Sequence, residues 1–398
     1  MNAVFPPDSY GGAENYVFRV ASALQERGHD VCVLTTKPFD GVQSLNLQRQ
    51  EQDGIAVFRF YPLNISHRSK GTGENVVTKA LWHQLDTANI HARKVISKFL
   101  TRRKFDVVHT NNFMGISTLV GSAIAKSDAR FVHMLHDYSL ICPKSNLLRE
   151  RTLPDDDIDV CKNPPVPCRM YGAAKKRSIG RPDLVVSPSH HVIDVHRQHG
   201  FFENVPTKRI QHGVTEIADS PPTGKPNRAV LYVGKHLRAK GLETIFEAAQ
   251  YLSDVTFHLC GTGPYDDKSK AAAAKLENVE FHGYVSDERL HALRRNVGAT
   301  IVPSIWMENS PLVVYESFAA GLPVLASSVG GLPELVTDGR GDLFPPDDPE
   351  ALAGCVQRHL NDDEKMTDRR DNALSWAANH TIEDHVDRLM DCYGSMEN

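Results

Sequence analysis

No stretch of the 398 residues strings together the roughly 18 apolar side chains that a membrane-spanning helix needs. The opening residues also lack the basic, apolar and small-residue order of a secretory leader. The chain is therefore expected to work in the cytoplasm. Cysteine is scarce and odd in number: seven residues scattered over the length argue against a secreted disulfide framework. Aromatics make up only 8% of the chain and do not interleave with its basic segments, so a nucleic-acid partner is not expected. What is present is ordinary for a globular protein, with 41% hydrophobic and 24% charged residues and enough length for two or three domains.

Charge is unevenly spread. Residues 1–198 carry 26 Lys+Arg against 19 Asp+Glu, or +7, while the remainder carry 19 against 30, or −11. A basic half joined to an acidic half suggests two lobes with different partners, the basic one facing something anionic. Uneven solubilising charge is the alternative.

Short, β-branched apolar runs recur along the chain: "DVCVLTT", "FDVVHT", "RFVHMLH", "PDLVVSPS", then "RAVLYVG", "VTFHLCG", "VEFHGYV", "ATIVPS" and "PVLASS". Segments of helical period, such as "AENYVFRVASALQERGH" and "LETIFEAAQYLS", lie between them. Such alternation predicts α/β architecture with parallel sheets covered on both faces. The series occurs twice, to about Ser189 and again from near Arg228, with a Pro/Gly-rich connection between. Two Rossmann-like, doubly wound domains facing across a cleft are expected. Only "MNAVF" precedes the first turn, so the first strand is short or the start is truncated. After "LHDYSLICP" comes an aperiodic stretch too long for a simple connection, expected to be a functional loop.

"MENSPLVVYESFAAGLP" carries the most chemistry. Ser310 suits an N-cap, Pro311 the first helical position and Gly321 the residue past the end, predicting a helix from about Pro311 to Ala320. A helix start is a ready diphosphate site. Glu308 and Glu316 would repel phosphate but accept hydrogen bonds from hydroxyls. The competing expectation is that one glutamate caps the helix and the other pairs with a nearby base. "VLYVGKHLRAKG" ends a strand and supplies Lys235, Arg238 and Lys240 where a diphosphate would sit. "GTGP", at Gly261–Pro264, and "GGLPE" are tight turns that let a ligand approach backbone closely.

In order and spacing, "GGAE", "LHD", "VGKHLRAKG", "GTGP", "FHGYV", "ENSPLVVYES" and "GGLPE" resemble glycosyltransferase family 4, retaining nucleotide-sugar transferases of the two-Rossmann GT-B fold. The resemblance spans nearly the whole chain. It implies an acceptor-side domain over 1–205, a nucleotide-sugar domain over 206–374, and a last helix, about 375–398, crossing back. It implies that Glu316 binds the ribose and Glu308 a donor-sugar hydroxyl, with backbone from Asn309, Ser310, Pro311 and Leu312 on the distal phosphate. Lys235, where the family usually has Arg, and Lys240 would neutralise the leaving diphosphate, with Arg238 in support. His136 would contact the donor sugar, while Gly12, Gly263 and Val285 would bring backbone near the diphosphate and base. The implied reaction moves a hexose from a UDP- or GDP-linked sugar to a cell-surface polysaccharide, lipopolysaccharide or glycolipid, with no cofactor. No nucleophilic carboxylate is evident, which fits front-face retention. The second half has no Asp-x-Asp, and metal independence is expected; that spacing does occur in the acidic run Asp155–Asp159 of the irregular stretch. A nucleotide-sugar epimerase or hydrolase, or a degenerate partner subunit, are the alternatives.

Two further features remain. Cys142, Cys161 and Cys168 share the irregular stretch, and with His190 or His191 they are candidates for zinc, although the C-x6-C spacing is unusual. "HARKVISKFLTRRKFD" sets Val95, Ile96, Phe99 and Leu100 at helical spacing with Arg93, Lys94, Lys98, Arg102 and Arg103 around them, a pattern suited to an anionic membrane face or to ordinary packing on a sheet. Oligomeric state is not legible.

Overall fold

A computed structural model describes residues 1–7, 11–73, 75–150, 158–222, 224 and 227–394. Asp155, Asp156 and Asp157 of the acidic run lie outside that set. The chain divides into two compact units: Met1–Leu147, Cys161–Gln211 and His385–Asn398 form the first, and Leu148–Val160 and His212–Asp384 the second.

In the first unit, β1 (Cys32–Thr36), β2 (Gln48–Gln52) and β3 (Ile55–Phe60) make one sheet in the order β1-β3-β2. The hairpin of β2 and β3 carries no strong alternation and is absent from the strand-like runs above. β4 (Val107–Thr110), β5 (Arg130–Met134), β8 (Leu184–Ser187) and β9 (Thr207–Arg209) form a parallel sheet in that order. Between them in sequence, β6 (Leu148–Glu150) and β7 (Ile158–Val160), which belong to the second unit, pair antiparallel across the irregular stretch. The helices are α1 (Gly12–Glu26), α2 (Val76–Thr87), α3 (Ile90–Arg102), the short α4 (Gly121–Ile124), α5 (Val166–Ser178) and α6 (His190–Gln198).

The opening residues are not a ladder strand by hydrogen-bond pattern, yet they lie between the two sheets. The Met1 nitrogen donates to His109 O at 2.6 Å and Met1 O accepts from Asn111 N at 2.9 Å. On the other side, Asn2 N donates to Leu34 O and Thr36 N to Ala3 O.

The second unit holds one parallel sheet of six strands: β10 (Ala229–Val233), β11 (Thr256–Cys260), β12 (Val279–Gly283), β13 (Ala299–Val302), β14 (Val324–Ser327) and β15 (Gly341–Phe344), in the order β12-β11-β10-β13-β14-β15. The inner strands β10, β11, β13 and β14 are largely buried, Val230, Leu231, Leu259 and Leu325 being fully covered, as their apolar runs require, while the edge strands β12 and β15 are only partly covered. Covering helices are α7 (Leu242–Tyr251), α8 (Asp266–Ala273), α9 (Asp287–Asn296), α10 (Leu312–Ala319), α11 (Leu332–Leu335), α12 (Pro349–Leu360) and α13 (Asp363–Ala378). α7 and α12 bury Leu242, Ile245, Leu352 and Val356 in one core with β10 and β11. The final helix, α14 (Ile382–Gly394), belongs from His385 onward to the first unit, where Val386 and Leu389 are buried and the Tyr393 hydroxyl bonds His109 Nδ1 at 2.6 Å.

Candidate active site

Strand order reverses beside β10: β11 and β12 lie to one side, β13 and β14 to the other. Loops leaving neighbouring strands on opposite sides of such a point splay apart, and the crevice at their carboxyl ends takes ligands. The loops after β10 and β13 are tied together there. Ile305 N and Trp306 N both donate to Ala239 O, at 2.9 and 3.3 Å. This lashing brings together side chains 68 positions apart: Lys240 Nζ lies 2.5 Å from Glu308 Oε1. Ser304 Oγ donates to the same oxygen at 2.7 Å, and the Lys240 ammonium stands 4.8 Å from the Trp306 ring centroid. Glu308 is only 3% exposed, so the two donors compensate a carboxylate that burial would otherwise penalise.

Gly330 belongs to this arrangement. Its φ of +58° and the 2.0 Å that a Cβ would leave to Glu308 O exclude any side chain, and Gly331 N donates to that same carbonyl at 2.8 Å. "GGLPE" thus fixes the Glu308 backbone. "GTGP" likewise braces backbone: a Cβ on Gly263 would lie 2.3 Å from His236 O, so the turn's nearest neighbour is the loop after β10. Its N–H donates to Asp266 Oδ1 at 2.9 Å, and that carboxylate also bonds His236 Nδ1 at 2.6 Å. The close approach expected for a ligand is made by protein backbone.

The helix after Glu308 differs in detail from expectation. α10 spans Leu312–Ala319 with Pro311 at the N-cap, and Ser310 does not cap it. The Ser310 hydroxyl is held instead by Tyr315 OH at 2.5 Å. Asn309 and Ser310 are nearly buried, and Gly321 follows the last turn as expected. Glu316, on the second turn, accepts from Arg294 Nη2 at 3.0 Å; Arg294 sits on α9 and is 5% exposed. Both glutamates therefore pair with a base, Glu308 with Lys240 and Glu316 with Arg294. Nothing in "ERLHALRRNV" singles out Arg294, because only packing decides which of its three arginines turns inward.

Lys235 stands exposed after β10, and Val285 is half-buried beside the core of Leu231 and Leu293. Arg238 donates through Nε to Glu243 Oε2 at 2.9 Å. Its guanidinium thus has an acidic partner on α7, a competitor for the phosphate role. Tyr232 is buried, its hydroxyl donating to Lys235 O at 2.9 Å; burial, with Glu308 nearby, pushes this phenol up.

Gly12 and His136 belong to the first unit. Gly12 opens α1 and is exposed. His136 Nε2 bonds Asn111 Oδ1 at 2.8 Å and its ring meets Tyr16 edge-on, with centroids 5.0 Å apart. Burial, helped by His385, lowers its pKa to about 3, so the ring is neutral at pH 7. Cys142, Cys161 and Cys168 are free thiols. Burial, then the other two sulfurs, raises the Cys168 thiol. Among the described residues the group with metal-ligand spacing is a different one: His258, Glu280 and His282, on β11 and β12. There the His258 Nδ1 lies 3.1 Å from His282 Nε2 and 3.2 Å from Glu280 Oε2, so the three pair with one another. The stripe in α3 faces inward, Ile96 and Phe99 being buried. Exposed apolar residues occur instead on α2, where Val77, Leu81 and Leu85 are 67, 47 and 46% exposed on one helical face. No described helix is long and apolar enough to cross a membrane.

Residues 11–211 match the family model "Glycosyl transferase 4-like domain", and residues 214–376 match "Glycosyl transferases group 1". An uncharacterized 42.6 kDa protein in cps region of Klebsiella pneumoniae is 27% identical, over 84% of this chain and 86% of its own. Among solved structures, sucrose-phosphate synthase from Thermosynechococcus elongatus superposes with a TM-score of 0.73 at 20% identity, covering 99% of this chain and 98% of that one. Anabaena Alr3699/HepE in complex with UDP gives 0.70 at 19% identity, covering 99% of each. The last two likenesses establish the fold, and the family models, which together cover most of the chain, establish that it is a member of the family-4-like, group 1 glycosyltransferases.

Proposed function

We propose that this enzyme transfers a hexose, with retention of anomeric configuration and without a metal, from a UDP- or GDP-linked sugar to a cell-surface polysaccharide, lipopolysaccharide or glycolipid. The observation that carries this reading is the pairing of Lys240 with buried Glu308 immediately before α10, at the strand-order switch. Glycosyl transfer leaves a nucleoside diphosphate, so the enzyme must hold charge that grows on phosphate as the bond breaks. Lys240 and the first N–H groups of α10 supply positive potential at one place without a metal ion. Once Lys240 turns toward phosphate, Glu308 is left to accept from a hydroxyl of the transferred sugar. Glu316, oriented by Arg294, accepts from the ribose. Lys235 lies exposed nearby as a second, mobile charge on the diphosphate. Glu308 and Glu316 are each paired with a cation rather than standing free as a nucleophile, which supports front-face chemistry with the leaving phosphate drawing the acceptor's proton.

Support for the donor comes from the UDP complex of the structural neighbour, and for a surface-glycan acceptor from the relative in cps region. The apolar face of α2 supports peripheral association with an anionic membrane face, where a lipid-linked acceptor would be met. Calorimetry with UDP and with GDP in the presence of a chelator tests the donor reading: one of them should bind, and binding of neither would sink it. NMR of the first-formed product then assigns the anomer, and an inverted product would remove the retaining mechanism.

A further inference from the structure

Two neighbouring strands of the second unit carry polar side chains that a covered parallel sheet does not call for. β11 reads Thr256-Phe257-His258-Leu259-Cys260 and β12 reads Val279-Glu280-Phe281-His282-Gly283. Phe257 and Leu259 stand opposite Val279 and Phe281, and these four pack into the core shared with α7. Alternation therefore turns His258, Glu280 and His282 to the other face of the sheet. His258 is the direct partner of Glu280, and the register then slips so that Cys260 pairs with Gly283. His282 is the extra residue of this bulge, a device that re-aims side chains at the edge of a sheet.

The three side chains converge on one point rather than bonding in series. His258 Nδ1 lies 3.1 Å from His282 Nε2 and 3.2 Å from Glu280 Oε2, and the last two atoms are 3.7 Å apart. A tetrahedral ion with bonds of about 2.0–2.1 Å holds its ligand atoms about 3.4 Å from one another. The observed triangle has that size, so a point about 2 Å from each of its corners lies just off its plane. A hydrogen atom satisfies one of the three contacts at a time, whereas a cation satisfies all of them. The His258 and His282 side chains are 16 and 14% exposed, and that of Glu280 is 55% exposed. The imidazoles are thus held in the sheet while the carboxylate side lies open to an entering ion.

We propose that His258, Glu280 and His282 bind one zinc ion, with water in the fourth position, and that the ion clips the edge strand β12 to β11. Two imidazoles and a carboxylate are a mixed donor set that suits zinc, while magnesium and calcium favour oxygen alone. β12 has a neighbour on one side only and is partly covered, so a cross-link there holds an edge that packing secures weakly. The site is separate from the proposed transfer chemistry, because Lys240 and Glu308 come from the loops after β10 and β13. A structural ion at this edge leaves the metal-free reading of transfer intact and does not depend on it.

The test strips the full chain with EDTA, removes the chelator, and titrates Zn²⁺ by calorimetry and Co²⁺ by visible absorption. The first ion should bind one per chain, raise the melting temperature by several degrees at saturation, and give the intense d–d bands of tetrahedral Co²⁺. Sulfur-to-cobalt charge transfer in the near ultraviolet should be missing, because no thiol belongs to the site. Glu280→Gln, at an exposed side chain, and His282→Asn should each weaken binding by at least about tenfold. The metal-free melting temperature of Glu280→Gln should stay that of the parent, which separates lost binding from lost folding. Equal affinity in the parent and both variants would place the ion elsewhere and overturn the proposal. A thiolate band on the first ion bound would assign it to the cysteines, with the same result. So would a stripped protein that takes up no ion.

Discussion

The Lys240 ammonium lies 2.5 Å from a Glu308 carboxylate oxygen that also receives the Ser304 hydroxyl. The pair couples stability to chemistry, and single substitutions separate the two. Lys240→Met leaves a nearly buried carboxylate with the Ser304 hydroxyl still donating to it, and should cost about 1–3 kcal/mol of stability in urea unfolding. It should also lower kcat by about 100-fold or more, since a positive charge aimed at the leaving diphosphate is lost. Glu308→Gln keeps the shape and removes the buried charge. It should be close to neutral for stability while still losing most transfer activity. Full activity in either variant would take the pair out of the reaction.

Glu316 and Arg294 form the second base–carboxylate pair, at 3.0 Å. Glu316→Ala should weaken nucleoside-diphosphate binding by about 1–3 kcal/mol, measured by calorimetry with the nucleotide that binds. Arg294→Met should weaken it less, because the carboxylate remains but loses its orientation. Unchanged affinity in Glu316→Ala would reduce the residue to an ion-pair partner. The binding of the free base, which has no ribose, should be the same in both variants and in the parent.

How much of this was legible in the sequence follows from the range of the forces. Strands whose residues are buried on both faces announce themselves as apolar runs, and all nine such runs lie in strands of the two units. The β2–β3 hairpin does not, because Gln48–Gln52 is an exposed edge whose pairing is set by β3. Glu308, Lys240 and the turn glycines could be singled out by their place between strand and helix. Their partners could not. Arg294, Ser304 and Trp306 are ordinary residues until packing decides which of them turns toward the site. The same limit left the α3 stripe open between a membrane face and packing on a sheet, since periodicity locates a stripe but cannot tell whether a sheet covers it; Ile96 and Phe99 are buried.

Buried histidines make the first unit acid-sensitive. Burial lowers His133 to about 3 and His196 and His385 to about 4, against about 6.5 in an unfolded chain. The unfolded state therefore binds more protons between those values, and stability is complete above about pH 6.5 and lost as pH falls toward 4. Each such histidine contributes a slope of up to about 1.4 kcal/mol per pH unit. Urea midpoints should be flat from pH 7 to 8 and should fall steeply from pH 6 to 5. A flat profile down to pH 5 would mean that these rings are hydrated.

The face of α2 that carries Val77, Leu81 and Leu85 is turned outward, while Trp82 and Asp86 of the same helix are buried. Leu81→Asp with Leu85→Asp should leave thermal unfolding within about 0.5 kcal/mol of the parent, as exposed substitutions do. It should cut co-flotation with anionic phosphatidylglycerol vesicles by about tenfold or more, since two apolar anchors are lost and two negative charges face the lipid. Undiminished flotation would remove α2 from any membrane contact.

Asp86 itself anchors that helix from beneath. Its Oδ2 lies 2.9 Å from Lys175 Nζ on α5, both side chains being 1% exposed, and its Oδ1 accepts from Gly115 N at 2.7 Å. The ammonium also faces the Tyr171 ring at 5.1 Å. Coulomb attraction at this depth is offset by the cost of stripping water from both ions, so the pair's net worth is small. The loss of one partner is not. Lys175→Met should destabilise the first unit by about 3–5 kcal/mol, because it leaves a buried carboxylate with a single backbone donor. Adding Asp86→Leu to Lys175→Met should recover part of that loss, although Gly115 N then loses its acceptor. Guanidinium unfolding of the three variants measures both steps. A double variant no more stable than the single one would show that the Gly115 bond, rather than the charge pair, holds α2 in place.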